Sequence, residues 1–452
     1  MGSEITNKTD RIGTERIGKL LFDFSMPAIV GMLVNAVYNI VDRIYVGHQG
    51  DDGLAIAGIT VVMPLMLALM AASMLIGIGA NSLFSIRLGA GRRDEVEKIM
   101  GHAFLLLFLV PGIVIAVMFL FMDRILFDLL KTSETVYPYA RTYLEIILYG
   151  GIFSAMGPGI NHFIRSDGHP KTSMLTQILG AVINIILDPI FIFGFGWGIA
   201  GAAWATVISQ FLSFVWVMGY FNSRFTPLRF RLREMKPEWK LTATIIAIGF
   251  APAAMQTAIG LVNVLLNRAL FHHGGDDAVT AMGIVYSILI IIIMPLLGLT
   301  QGMQPIVGFN YGAKKMDRVR KTYLTTVLSA TLFVVVGFVF LQLFPRFFIA
   351  AFRNDEGDLM TLAVRCLRIS TIFLPVVGFQ ITTSHFFQAI GKPIQGSVLS
   401  LSRQILFYIP ILMILPPIFG VDGVFFAMPL ADIGAAVFSS VIMWFEWQKL
   451  KR

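Results

Sequence analysis

Apolar runs recur along the whole chain, each long enough to cross a hydrocarbon core as a helix of about 20 residues, and the polar stretches between them are short. Hydropathy and helix breakers together predict twelve helices. Six begin near Phe24, Leu54, Ile99, Tyr139, Thr172 and Ile199, and six more near Leu241, Val279, Thr322, Leu362, Gly396 and Val424. The expected fold is an all-α membrane protein with no room for a separate soluble catalytic domain. Ahead of the first run, MGSEITNKTDRIGTERIGK is polar and lacks the short apolar core and cleavage site of a secretory signal, so the first span is expected to be retained.

Composition agrees: 56% of residues are hydrophobic and 14% charged, where soluble domains run at roughly 45 to 50% and about 25%. The net charge of +8 does not point to nucleic acid, because the basic residues sit at the ends of apolar runs rather than in one patch. They are instead distributed by side. The amino end (Lys8, Arg11, Arg16, Lys19), the group Arg87, Arg92, Arg93 and Lys98, the stretch RFTPLRFRLREMKPEWK and the stretch AKKMDRVRK fall on one side, which collects roughly 25 basic residues. Loops of the other side include HQGDD, GFGWG and HHGGDD. Both termini are therefore expected to face the cytoplasm, in a multi-pass plasma-membrane protein. The single cysteine, Cys366, excludes an internal disulfide or a multi-thiolate metal site and is expected to be a packing residue.

Sliding the chain over itself by 225 positions pairs Pro27 with Pro252, Arg43 with Arg268, His48 with His273, Gly50-Asp51-Asp52 with Gly275-Asp276-Asp277, and Gly77 with Gly302. After a two-residue slip, His162, Gly168 and Pro170 pair with His385, Gly391 and Pro393. The halves are duplicates. Six spans per copy is an even number, so both copies enter from one side and are related by a pseudo-two-fold axis along the membrane normal. The expected organisation is two six-helix bundles: an amino-terminal lobe over residues 1–223, a basic linker over 224–240 and a carboxyl-terminal lobe over 241–452.

What the fold needs should be present in both copies, so a costly residue held by only one copy points to function. Asp42 has Asn267 as its counterpart, Asp188 in NIILDP falls opposite Ile411, and Asn184 falls opposite Phe407. A carboxylate deep in a span costs about 2.5 to 3.5 kcal/mol, so these two should face a wet cavity or a cation rather than lipid. There a proton and a sodium ion compete for the same oxygens, which is a means of coupling. A purely structural account would pair Asp42 with Arg43 and make Asp188 the cap of a break at Pro189. Against its first part, Arg43 is retained as Arg268 beside Asn267. Asn184 and Asp188 share a helical face, as do Tyr38 and Asp42. Asn161 and Thr206 could complete a shell of oxygen ligands of the kind sodium needs.

Other features are less specific. Met63, Met66, Met70 and Met74 form a soft stripe along the second span, of the type found at promiscuous sites and also in ordinary packing. Glu145 follows Arg141 by four residues and is expected to pair with it. Asp432 lies inside the twelfth span without an assigned role. His162 and His385, being repeat-related, are expected to share a structural role.

The strings YNIVDRIYVG, SIRLGAGRRDE, IRSDGHPK, NIILDPIFIFGFGWGIAGAAWATVISQ and QPIVGFNYGAKK resemble those of multidrug and toxic compound extrusion (MATE) transporters, over essentially the whole chain. The resemblance implies efflux driven by a proton or sodium gradient, by alternating access of two six-helix bundles. It places the amino-lobe cation site on Asp42, Asn184, Asp188 and Thr206, with Tyr38 and Asn161 lining the same cavity; the helical spacing of Met63, Met66 and Met70 makes them further lining candidates. Some members carry acidic ligands in spans seven and ten, but no acid lies between Phe250 and Phe271 or between Ile369 and Ile390, which argues against a carboxyl-lobe ion site. The expected cargo is a small organic compound, cationic or amphiphilic, carried by a monomer without a cofactor.

Two other functions compete with this reading. A flippase for a lipid-linked sugar would need a strongly basic cavity, and Arg403 is the clearest unpaired cation within the spans. A membrane enzyme would need a nucleophile with its base, or a metal cluster; no His-Glu-x-x-His run or Gly-x-x-x-x-Gly-Lys phosphate loop occurs.

Overall fold

The structure is a computed structural model that describes residues 11–48, 53–224, 226–229, 238–352 and 357–451. The tip of the first loop and most of the basic linker therefore lie outside the described residues. Among the described residues, ten helices are each long and apolar enough to span. In the first half these are α1 (Ile17–Gly47), α2 (Leu54–Gly89), α3 (Arg93–Leu120), α4 (Tyr137–Ser166), α5 (Pro170–Pro189, continued by a π turn Ile190–Gly194) and α6 (Ile199–Asn222).

The run Trp239–Gly312 holds 74 residues. As one helix it would be about 110 Å long, far beyond a hydrocarbon core of about 30 Å. Its backbone leaves the helical region at Gly275, at φ 65° and ψ −161°, a conformation closed to residues with a Cβ. We take residues 239–274 as α7 and 276–312 as α8. Then come α9 (Met316–Leu343), α10 (Asp358–Ser370 and Leu374–Ala389, bent by 50°), α11 (Pro393–Phe419) and α12 (Val421–Lys451). Twelve spans result, in agreement with the hydropathy pattern. Most begin a few residues earlier than hydropathy placed them, Ile17 against Phe24 and Met316 against Thr322, because helices run on through polar turns outside the apolar slab.

The chain forms two compact units: one of Val30–Ala253 with the first residues, the other of Arg16–Ile29 with Ala254–Arg452. The expected lobe boundaries fell in the linker instead. The first turns of α7 stay with the first unit through a close crossing on α2. A Cβ on Gly79 would meet Ile245 O at 2.1 Å, and one on Gly249 would meet Leu75 O at 1.7 Å. The second unit repeats this arrangement with the start of α1, where Ser25 Oγ donates to Leu299 O at 3.3 Å and a Cβ on Gly302 would meet Ser25.

In the first unit α4 packs against α2, α3 and α6, and α5 against α6. The core holds Val46, Ile59, Leu69, Ile115, Leu144, Ile147, Ile199 and Val207. The upper part of α1 runs parallel to α5: Gly31 lies against Gln177, and further along Tyr45 meets Phe193 edge-on at 6.3 Å. In the second unit Val262, Leu266, Val285, Ile288, Leu367 and Phe425 form the core, where Cys366 is fully buried with its sulfur 3.9 Å from Met282 Sδ.

Candidate functional site

The parallel course of α1 and α5 brings Asp42 and Asp188 to the same level. Their carboxyl groups lie within hydrogen-bonding reach of each other. Asp188 is completely buried and Asp42 nearly so. Asp188 sits immediately before Pro189 and the π turn Ile190–Gly194. Proline has no N–H to give to the carbonyl one turn back, so the Ile185 oxygen loses its helical donor close to the acid.

Asn184, one turn before Asp188, holds the cluster in place. Its Nδ2 donates to Asp188 Oδ1 at 3.2 Å and lies 3.4 Å from Thr206 Oγ1 on α6. The amide therefore points its nitrogen at the acid and the hydroxyl, which leaves its own oxygen turned elsewhere. Asp42 Oδ1, Asn184 Oδ1 and Asp188 Oδ2 are buried oxygens with no hydrogen-bond partner among the described residues. Buried polar atoms are normally satisfied, and the two unsatisfied carboxylate oxygens of this pair fit a hard cation or an added proton. Tyr38 and Tyr143 are electrostatic neighbours of both acids. Tyr143, on α4, was not singled out in the sequence; its buried hydroxyl-bearing ring inside a span was the available signal.

Arg43 is an electrostatic neighbour of Asp42 but forms no ion pair with it among the described residues. Its Nη2 contacts Met63 Sδ at 3.3 Å, and no ion pair joins it to an acid among the described residues. Met63 and Met70 are exposed and Met66 is half-buried against the first-unit core, so the stripe is split between two environments. Asn161 stands apart from the acids. Its Nδ2 donates to Ser173 O at 3.0 Å near the start of α5, about 22 Å of helix from Asp188. Asn161 therefore supports the α4–α5 turn and is not brought to the acid cluster.

Two sequence expectations are corrected. Glu145 does not pair with Arg141: it accepts a hydrogen bond from Tyr149 Oη at 3.1 Å, while Arg141 Nε lies 3.7 Å from Asp123 Oδ1. Four residues of spacing allow a helical pair, but each group has a nearer partner. Arg403 is not unpaired, because its Nε donates to Asp432 Oδ1 at 2.5 Å. A partner one helix away cannot be read from spacing.

Twelve spans, duplicated halves and an acid cluster buried in one of them define a polytopic membrane protein of transporter architecture. One family model, MatE, matches twice, over residues 27–190 and 252–414, and the chain belongs to that family. The double match begins at the repeat-related Pro27 and Pro252. The multidrug export protein MepA of Staphylococcus haemolyticus is 27% identical over 430 residues, covering 95% of this chain and 93% of that protein. Among solved structures, a multidrug resistance MATE family transporter of the MOP superfamily in an outward-facing conformation superposes with a TM-score of 0.91 at 23% identity, over 98% of both chains. A MOP superfamily transporter from Pyrococcus furiosus superposes at 0.90 with 24% identity, over 98% of both chains.

Proposed function

We propose that this protein is a secondary antiporter that exports small cationic or amphiphilic organic compounds in exchange for H+ or Na+, and that it is not an enzyme. The observation that carries the proposal is the facing pair Asp42 and Asp188, buried together with Asn184 and Thr206 and with no ion pair to either acid among the described residues. Two carboxylates this close offer oxygens of both acids at one point, so a single proton or sodium ion can be shared between them. Binding of that ion and its release on the other side would change the net charge of the site, which gives each of two conformational states a different preference for it. Multidrug export by the MepA relative agrees with this reading. From the positive-inside rule we further propose that both termini face the cytoplasm, and that the protein works as a monomer in the plasma membrane.

The test is uptake of a fluorescent organic cation into inverted vesicles under an imposed proton or sodium gradient. The parent chain should respond to one of the two gradients, and Asp42→Asn and Asp188→Asn should each abolish that response. If both variants transport as well as the parent, the coupling assignment is wrong.

A further inference from the structure

The second unit has its own buried charged group, and it lies where the first unit has none. Arg403 and Asp432 occur in one copy of the repeat only; Arg403 falls opposite Gly180, and Asp432, once Gly198 and Gly420 are superposed, falls opposite Gln210. Placing an arginine at the centre of a span costs about 2.5 to 3.5 kcal/mol on insertion scales, and such residues line wet cavities or pathways. A hydrophobic pair would hold α11 to α12 at least as well, because a buried ion pair seldom adds net stability. The fold alone therefore does not account for these two residues.

Arg403 lies on a π turn, Ser402–Tyr408, inside α11. Such turns are frequent at functional sites because they redirect side chains out of the regular helical register. Only Nε is engaged, by Asp432 Oδ1; the two Nη groups make no hydrogen bond among the described residues. The guanidinium is enclosed by α8, α11 and α12, with Tyr286, Tyr408 and Asp432 as its electrostatic neighbours, yet 18% of the side chain stays accessible. Asp432 itself is buried. From the same π turn the buried Tyr408 hydroxyl lies within hydrogen-bonding reach of Tyr286 and hydrogen-bonds no other described residue. Two kinds of donor thus stand together, and the one acceptor holding Arg403 occupies a single edge of it.

We infer that Arg403, with the Tyr408 hydroxyl, forms a subsite in the second unit for the carboxylate of an amphiphilic organic substrate. Guanidinium Nη groups and a phenolic hydroxyl are the donors a carboxylate needs, and Asp432 keeps the arginine charged and oriented while leaving its outer fork available. Tyr286 supplies an aromatic wall. The subsite refines the proposed transport function and rests on it only for its biological use. It extends the substrate range from cations to zwitterions that carry an acid beside a cationic ring system.

The experiment compares rhodamine B, which carries a free carboxylate, with its ethyl ester, which is the same cation without it. Binding of each dye to the detergent-solubilised full-length protein is read by fluorescence anisotropy, which does not depend on transport. Replacing both charges together, Arg403→Gln with Asp432→Asn, leaves no unpaired buried charge and should preserve folding, checked by thermal melting. The expected result is an acid-to-ester affinity ratio at least fivefold lower in the double variant, with ester binding within twofold of the parent. Asp432→Asn alone, which releases the guanidinium, should raise affinity for the acid. An unchanged ratio, an equal loss of both dyes, or a parent that binds neither overturns the inference. Gradient-driven uptake of the ester, measured separately, reports on the transport reading itself.

Discussion

Asp42 on α1 and Asp188 on α5 present their carboxyl groups to each other inside one unit, and the arginine next to Asp42 in sequence turns to Met63 instead. The pair is linked through Asn184 to Thr206, so three helices share one charge-sensitive cluster. Its members should behave as a unit. Each of Asp42→Asn and Asp188→Asn should reduce coupled transport by a large factor, and the double variant should be little worse than either single one, because groups in direct contact are not additive. Independent, multiplying losses in a double-mutant cycle of transport rates would separate the two acids.

Thr206 contributes a hydroxyl oxygen and no charge. Thr206→Val, which keeps the shape, should weaken cation affinity by about 10-fold, the lower end of what loss of a supporting polar group costs a cation site. Thr206→Ser should retain most of it. Titration of the coupling ion against transport rate measures both, and a harmless valine would remove Thr206 from the site.

Outside the spans, the turn between α4 and α5 holds a buried acid. Asp167 accepts from Tyr220 Oη at 2.7 Å, the same hydroxyl lies 2.7 Å from His169 Nδ1, and Thr226 and Arg93 also act on the carboxyl. Burial outweighs these partners and pushes Asp167 up to about 6. The folded state therefore holds a proton that the unfolded chain releases at lower pH, so stability falls as pH rises from about 4 to about 6 and is level above that. The swing is at most about 3 kcal/mol. Asp167→Asn should flatten this part of the melting curve in detergent between pH 4 and 8. A wild type that gains stability over that window would contradict the burial argument.

The glycine crossing of α2 and α7 has no slack. Gly249→Ala would place a methyl 1.7 Å from Leu75 O and Gly79→Ala one 2.1 Å from Ile245 O, so backbones must separate. Overpacking of this kind costs about 1 to 3 kcal/mol or more. At Gly260 on the same helix a Cβ meets nothing within 4 Å, and Gly260→Ala should be neutral or stabilising by up to about 1 kcal/mol. Melting temperatures of the three variants rank the sites directly.

At the turn between α10 and α11, Lys392 Nζ reaches Glu446 Oε1 at 2.5 Å and Oε2 at 2.6 Å, and the glutamate is buried. Lys392→Met should destabilise by about 3 to 5 kcal/mol because it leaves a buried carboxylate alone, and adding Glu446→Gln should recover most of the loss. Chemical denaturation of the three variants decides it. Equal stability of Lys392→Met and the parent would show that Glu446 is satisfied without the lysine.

The sequence by itself determined the span count, the duplication and the acids worth asking about. Apolar length is fixed by bilayer thickness, so it survives in composition alone; the copies keep the same prolines and glycines at matching positions; and Asp42 and Asp188 stand out because their repeat partners are Asn267 and Ile411. Local spacing also placed Asn184 with Asp188 correctly, since four residues make one helical turn. Tertiary structure decided everything that depends on which helix lies beside which. It took Asn161 away to Ser173, gave Arg403 to Asp432, parted Glu145 from Arg141, and assigned the first turns of α1 and α7 by glycine crossings. Hydropathy records how far a side chain must stay from water, but partner choice between helices depends on rotation and close approach, which many sequences satisfy and none spells out.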